Sequence, residues 1–256
     1  MLAIERRNEI LEKLQAEKRV VVSELSQIYG VSEETIRRDL DKLEQDGLAI
    51  KSYGGAVLNE HSVVDLPFNI RKNKQIKEKQ QIGQLLESIV RDGEAIMMDA
   101  SSTSVYISKA LKKKKKLTVI TNSVEVLVEL YDMLEWNVIS TGGVSRQQSF
   151  ALVGPHTDEL IRSYHVDKAI ISCKGLAIEE GFTDADEQNT SCKRMMLKAA
   201  KERILAADSS KFGEIAFKRI ADWADITKIV TDKKPDTYWL KEFEKLGIEC
   251  IYPDNV

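Results

Sequence analysis

Residues 31–56 read V-S-E-E-T-I-R-R-D-L-D-K-L-E-Q-D-G-L-A-I-K-S-Y-G-G-A. The stretch predicts a helix, a stop, a short strand and a glycine turn. Ser32 stands where its hydroxyl can accept a first-turn N–H. Glu33 and Glu34 follow where the helix dipole favours negative charge. Ile36, Leu40 and Leu43 recur at i, i+4 and i+7 and make one apolar face. Gly47, after Asp46, supplies a C-terminal stop. At about 100° per residue, Glu34, Arg38, Asp41 and Gln45 lie opposite that face, with Thr35 and Arg37 on its flanks. The exposed first two turns thus carry residue types that meet DNA: arginine pairs with guanine or phosphate, glutamate accepts from cytosine, and threonine meets the thymine methyl. The same residues also suit an ordinary solvated face, and this helix alone does not choose.

Its neighbours choose. Ile4, Ile10, Leu11 and Leu14 predict a first amphipathic helix. Val20–Val22 is a short β-branched run, and Ser23 is the expected cap of a second short helix with Leu25 and Ile28 on one side. Gly30 falls between the second and third helices, where a tight turn uses glycine. Leu48–Lys51 is a strand candidate and Gly54-Gly55 a turn signal. Helix, helix, turn, helix and a hairpin make a winged helix-turn-helix, whose recognition helix places its N-terminal residues against base edges in the major groove.

Residues 3–58 resemble the DNA-binding domain of the DeoR family of bacterial transcription regulators. The carriers are V-S-E-L-S (22–26), V-S-E-E-T-I-R-R-D-L (31–40), L-E-Q-D-G (43–47) and Y-G-G-A (53–56). With the helix face, the resemblance nominates Ser32, Glu34, Thr35, Arg37, Arg38, Lys51 and Tyr53 for contact with double-stranded operator DNA. The family has an arginine at the start of the wing where this chain has Lys51, which keeps the phosphate attraction and loses the bidentate fork. Charge runs against the usual basic footprint of a DNA binder. Residues 1–57 hold nine Lys or Arg against eleven Asp or Glu. The cations Arg6, Arg7, Arg19, Arg37, Arg38 and Lys51 are therefore expected near the groove, with a homodimer or homotetramer supplying two half-sites.

We expect a DNA-binding domain over 1–58, with the helix-turn-helix at about 20–39, a linker over 59–73 and a second domain over 74–256. Periodicity lapses between Leu58 and Lys74, and Pro67 disfavours helix at Leu66. Phe68-Asn69-Ile70-Arg71 matches the family's entry into its second domain. From Lys74 an amphipathic helix runs to Val90. Short apolar strands then alternate with polar loops and helices, at residues 95–98, 117–120, 137–140, 169–172, 204–207, 227–231 and 248–252. That alternation predicts a mostly parallel α/β sheet, whose ligands bind outside the carboxyl ends of the strands.

Five of those ends are polar. Ser101, Ser102 and Thr103, before a helix start, form the best phosphate cradle. Lys211 is the first choice of countercharge and Lys174 the second, while Asp99, Asn122 and Asp208 suit sugar hydroxyls. Thr121, Gly142, Gly143 and Gly175 complete the nominated loops. Taken singly, each loop is also what any βα connection looks like. This half resembles the DeoR-family sensor domain, similar to ribose-phosphate isomerases, glucosamine-phosphate deaminases and CoA transferases. The carriers are D-A-S-S-T (99–103), T-N (121–122), T-G-G (141–143), V-G-P (153–155), K-G (174–175) and A-D-S-S-K-F-G (207–213). The family's D-x-G-T-T lacks its glycine here. Residues 181–193 also follow the family pattern, so Thr183, Glu187 and Lys193 join the lining or its support. The run Lys112–Lys116 suits a solvated corner, or an accessory phosphate contact.

The chain has 256 residues, net charge −3, and three cysteines without a C-x-x-C. We expect reduced packing thiols, a cytoplasmic protein, no membrane partner, no cofactor and no metal. None of His61, His156 and His165 sits beside a nucleophile or in a metal-ligand spacing, so no catalytic residue is nominated. The expected function is sequence-specific transcription regulation, as a repressor of a carbohydrate catabolic operon released by a phosphorylated sugar. The alternatives are an isomerase- or deaminase-like enzyme carrying a DNA-binding domain, and an architectural DNA protein.

Overall fold

The structure, a computed structural model, describes residues 1–59, 66–146 and 148–254. His61 lies outside them. Two compact units divide the chain, Met1–Asn73 and Lys74–Val256.

In the first unit α1 (Ala3–Glu17) leads to β1 (Arg19–Val21), α2 (Val22–Tyr29), α3 (Glu33–Gln45), β2 (Ala49–Ser52), β3 (Gly55–Leu58) and α4 (Phe68–Asn73). Ile10, Leu11 and Leu14 of α1, Leu25 of α2 and Ile36, Leu40 and Leu43 of α3 share one buried core. Each such side chain contributes ~1.5–3 kcal/mol by leaving water. The strands form an antiparallel sheet in the order β1-β3-β2. A Cβ at Gly55 would meet the Val20 carbonyl oxygen at 2.0 Å, so only glycine lets β1 and β3 approach this closely.

Several local expectations are corrected. Ile4 is 60% and Ile28 58% exposed. The buried stripe of α1 runs back from Ile10 through Arg6, whose guanidinium is paired, and α2 buries Val22 and Leu25 instead. Helix α2 starts at Val22 without a side-chain cap, so Ser23 lies inside its first turn. Residues 68–73, expected to be linker, form α4, with Phe68 and Ile70 buried and Ile70 in the N-terminal core. Six residues are too few for a helical repeat to stand out in the sequence.

The second unit begins with α5 (Ile76–Ile89), β4 (Ala95–Met98), α6 (Ser102–Leu111), β5 (Thr118–Thr121), α7 (Val124–Glu129) and β6 (Asn137–Ser140). It continues with β7 (Val144–Arg146), β8 (Ala151–Val153), α8 (Pro155–Ser163), β9 (Val166–Ile171), β10 (Gly175–Ala177), β11 (Gly181–Asp184) and α9 (Glu187–Lys198). It ends with β12 (Ala200–Ala206), β13 (Lys218–Ala221), β14 (Lys228–Val230), α10 (Thr237–Leu246) and β15 (Glu249–Ile251). Seven strands pair in parallel in the order β15-β14-β12-β9-β4-β5-β6. Their near-continuous apolar runs fit a sheet buried on both faces. From β4 the chain winds outward through β5 and β6. It then returns to the other side of β4 and winds through β9, β12, β14 and β15. The winding reverses between β4 and β9, and at such a switch point the loops diverge and open a crevice.

Two small antiparallel sheets, β7-β8 and β10-β11-β13, were not anticipated. Their strands of three or four residues are too short to display alternation. In the lysine run, Lys112 pairs with Glu129 and Asp132, and Lys113 and Lys114 lie beside Glu87. This is a charged corner with its own carboxylate partners.

Candidate functional site

The residues nominated for DNA contact are built mainly on α3. The Ser32 hydroxyl caps it, accepting from the Thr35 amide at 3.2 Å and bonding the Thr35 hydroxyl at 2.9 Å. Arg37 and Arg38 project from the exposed face, and each is tethered one turn back, Arg37 to Glu33 at 2.6 Å and Arg38 to Glu34 at 3.3 Å. Exposed i,i+4 pairs contribute only ~0.3–0.5 kcal/mol, so a phosphate or guanine can displace these glutamates cheaply. Lys51, at the start of the wing, pairs with Asp41, and its amide donates to Glu44 at 2.9 Å. Asp41 holds the Lys51 ammonium above the ordinary lysine value. Tyr53 stands fully exposed at the hairpin tip.

One expected groove cation is elsewhere. Arg6 is buried and donates to Asp39 at 2.6 Å, and Arg7 approaches the same carboxylate at 3.7 Å. The pair ties α1 to the inner face of α3. It removes one cation and one anion together from the surface, so the acidic balance of the domain is unchanged.

The second set of residues gathers at the switch point. Asp99 follows β4, and its carboxylate accepts from the Ser101 amide, the Ser104 hydroxyl at 2.6 Å and, across the switch point, the Ser172 amide at 3.0 Å. Ser101 caps α6 by accepting from the Ser104 amide. Ser102 and Thr103 occupy the first turn of α6, where backbone N–H groups lack helical partners and suit an anion. No hydrogen bond ties the Ser102 hydroxyl among the described residues, while Thr103 accepts from Ser172 at 3.4 Å.

Lys193, projecting from α9, is the buried cation of this cluster. Its ammonium lies 3.2 Å from Asp99, is paired with Asp184, and donates to the Ser172 carbonyl at 2.7 Å. Burial alone would lower its pKa, but Asp184 and Asp99 outweigh that and hold it above the ordinary lysine value. Burial would likewise raise Asp184, but Lys193 and Lys174 outweigh it and the carboxyl sits below its ordinary value. The sequence placed Lys193 in the lining or its support and ranked Lys211 and Lys174 above it. The signal available was its spacing along α9 after Asp184, which does not reveal the Asp99 contact.

The remaining nominated residues divide. Asn122, at the end of β5, donates to the Leu152 carbonyl, and its Oδ1 is buried without a partner. Asp208 follows β12 and caps the short turn Ser209–Lys211, with Lys211 3.9 Å away and partly exposed. Lys174 follows β9, its amide donating to the Thr183 carbonyl. Thr121 is committed to scaffolding, since its hydroxyl donates to the Met98 carbonyl and accepts from the Ser123 amide. Gly142 and Gly143 follow β6. The Gly142 carbonyl accepts from Thr157 at 2.6 Å, and a Cβ at Gly143 would strike Thr157 Oγ1 at 2.2 Å. Gly175 packs against the Glu214 backbone. Thr183 accepts from the Ala216 amide and donates to Gly175, and Glu187 points away to pair with Lys218.

Burial pushes the thiols of Cys173, Cys192 and Cys250 up to about 12. Among the described residues no His, Cys, Asp and Glu group is arranged to hold a metal, and no helix is long and apolar enough to cross a membrane.

A winged helix-turn-helix joined to a parallel α/β domain with a polar, anion-suited switch point defines a ligand-responsive DNA-binding protein. The DeoR-like helix-turn-helix domain family matches residues 6–62, and the DeoR C terminal sensor domain family matches residues 74–233. The chain is 38% identical to the HTH-type transcriptional regulator YulB of Bacillus subtilis, covering 95% of this chain and 94% of that one. It is 33% identical to the transcriptional repressor GlcR of the same organism, covering 96% and 95%. It is 34% identical to the L-fucose operon activator of Haemophilus influenzae, covering 89% and 91%. The chain belongs to the DeoR family of transcription regulators. These relatives are named as regulators of transcription, not as enzymes.

Proposed function

We propose that this regulator represses a carbohydrate catabolic operon and that a phosphorylated sugar, bound at the switch point, releases it. The observation that carries the reading is the first turn of α6. It presents Ser102 and Thr103 amides beside a buried, charged Asp99–Lys193–Asp184 cluster. The phosphate takes the helix start. The sugar hydroxyls meet Asn122 Oδ1, which lacks a donor, and Asp208, with Lys211 swinging from Asp208 to the phosphate. Lys193 and Asp184 are held in their charged forms, which suits fixed electrostatics better than proton shuttling near neutral pH.

Release requires the sugar phosphate to bind the DNA-incompetent state more tightly, because only differential affinity shifts an equilibrium. A hundredfold effect on operator affinity corresponds to about 2.7 kcal/mol, within the usual range of coupling energies. The DNA-binding form is a homodimer or homotetramer. Relatives named both repressor and activator make the sign of regulation a specific claim of this proposal. Thermal-shift screening of the full chain against sugar phosphates tests it, because a ligand of the folded state raises the midpoint. At least one sugar phosphate is expected to raise the midpoint where its unphosphorylated parent does not. Equal shifts from sugar and sugar phosphate would contradict the phosphate cradle.

A further inference from the structure

A second cleft lies away from the switch point, lined by Arg194, Leu197 and Lys198 of α9, Arg203 of β12, Ala221 of β13 and Asp225. Its volume is about 210 Å³. Water occupies about 30 Å³ per molecule, so a phosphate group and several waters fit. Three cations face one carboxylate there, an excess of two positive charges in a chain whose net charge is −3. None of the three cations has a carboxylate partner among the described residues. Arg194 is instead pinned by backbone, its Nε donating to the Ile220 carbonyl at 2.8 Å and one Nη to the Arg219 carbonyl at 3.0 Å. The Arg203 Nε is buried with no acceptor among the described residues. A buried donor without an acceptor is costly, more so when charged, and calls for a local explanation such as an ion.

We infer that this cleft is a second oxyanion site, taking a phosphate group of a small molecule or inorganic phosphate. The Arg203 guanidinium and the Lys198 ammonium, with the Arg194 Nη that the backbone leaves over, suit the oxygens of a phosphate. The excess of two positive charges matches a phosphate dianion, where a carboxylate would leave one unbalanced. The site is separate from the switch point. Lys193 of α9 turns into the switch-point cluster, whereas its neighbour Arg194, about 100° further round the helix, meets the Ile220 and Arg219 carbonyls.

The test is a titration of the full chain, labelled with ¹⁵N-arginine, with inorganic phosphate at constant ionic strength set by chloride. The Nε–H resonances of Arg203 and Arg194 are followed, each assigned by an Arg→Lys variant. Both are expected to shift saturably, with a midpoint in the millimolar range or below. Lys198→Glu, on an exposed side chain, is expected to raise that midpoint about tenfold, and Ser102→Ala to leave it unchanged. Resonances that stay still as phosphate is added would overturn the site, as would a midpoint indifferent to Lys198→Glu. Shifts that follow protein concentration rather than phosphate would assign the cleft to a second copy of the chain and overturn it equally.

Discussion

The Lys193 ammonium lies 3.2 Å from the Asp99 carboxylate while it also pairs with Asp184, so one lysine on α9 neutralises two buried acids from different strand ends. Removing it strands both. Breaking a buried pair from one side costs about 3–5 kcal/mol, and Lys193→Met is expected to destabilise by that order or more. Asp184→Asn combined with Lys193→Met is expected to recover part of the loss. Urea denaturation of the two variants measures it, and a single variant as stable as the parent would show that the cluster contributes little.

The same cluster sets a pH window. The Asp184 carboxyl is depressed below its ordinary 3.8, so its stabilisation is present above that value and is lost as pH falls through the lower folded value. The Lys193 ammonium is raised above 10.5, so its share is complete below 10.5 and is lost as pH rises through the higher folded value. The stability difference between the parent and a triple variant without the cluster, Asp99→Asn, Asp184→Asn and Lys193→Met, is therefore expected to be flat between about pH 5 and 9. Denaturation midpoints across that range check it, and a slope through neutrality would assign the dependence to other groups.

Arg38 and Arg6 are expected to behave in opposite ways although both belong to the DNA-binding domain. Arg38→Ala loses only an exposed pair with Glu34, so stability changes by ~0.5 kcal/mol or less. Operator affinity falls by the ~1–3 kcal/mol of a base contact, roughly five- to 150-fold. Arg6→Ala leaves the buried Asp39 with only the 3.7 Å approach of Arg7 and is expected to lower the stability of the domain by about 3 kcal/mol. Fluorescence anisotropy with operator DNA, paired with thermal melts, separates the two. A destabilised Arg38→Ala or an unperturbed Arg6→Ala would reverse the assignments.

What the sequence made legible, and what it hid, follows the distance between partners. The face of α3 was readable because Ile36, Leu40 and Leu43 repeat within three turns, and Ser32 caps a helix that starts at the next residue. The strands of the parallel sheet were readable because each is an apolar run ending in a polar loop. Arg6 was misplaced because its partner Asp39 is thirty-three residues away, and a charge in an amphipathic helix looks solvated until that partner is known. The pairing of Lys193 with Asp99 was hidden for the same reason, since only the fold brings the loop after β4 to α9. Thr121, Gly142 and Gly143 looked like ligand contacts because small polar residues serve equally as braces. Thr121 bonds Met98 and Ser123, the Gly142 carbonyl accepts from Thr157, and Gly143 packs closely on Thr157 Oγ1.

Lys211→Ala is expected to leave operator binding intact and weaken the response to a sugar phosphate about tenfold or more. Lys211 is partly exposed and only 3.9 Å from Asp208, so its loss disturbs no buried pair of short range. Titrating a preformed operator complex with the sugar phosphate measures it, and an unchanged release midpoint would remove Lys211 from the site.

The account depends on coupling between the switch point and the DNA-binding helix. The most direct measurement is operator affinity of the full chain with and without a saturating sugar phosphate, repeated with Ser102→Asp, which puts a negative charge at the α6 start. The sugar phosphate is expected to weaken operator binding by about a hundredfold, or 2.7 kcal/mol, in the parent and by much less in the variant. Unchanged or tighter operator binding in the parent, with the ligand demonstrably bound, would contradict it.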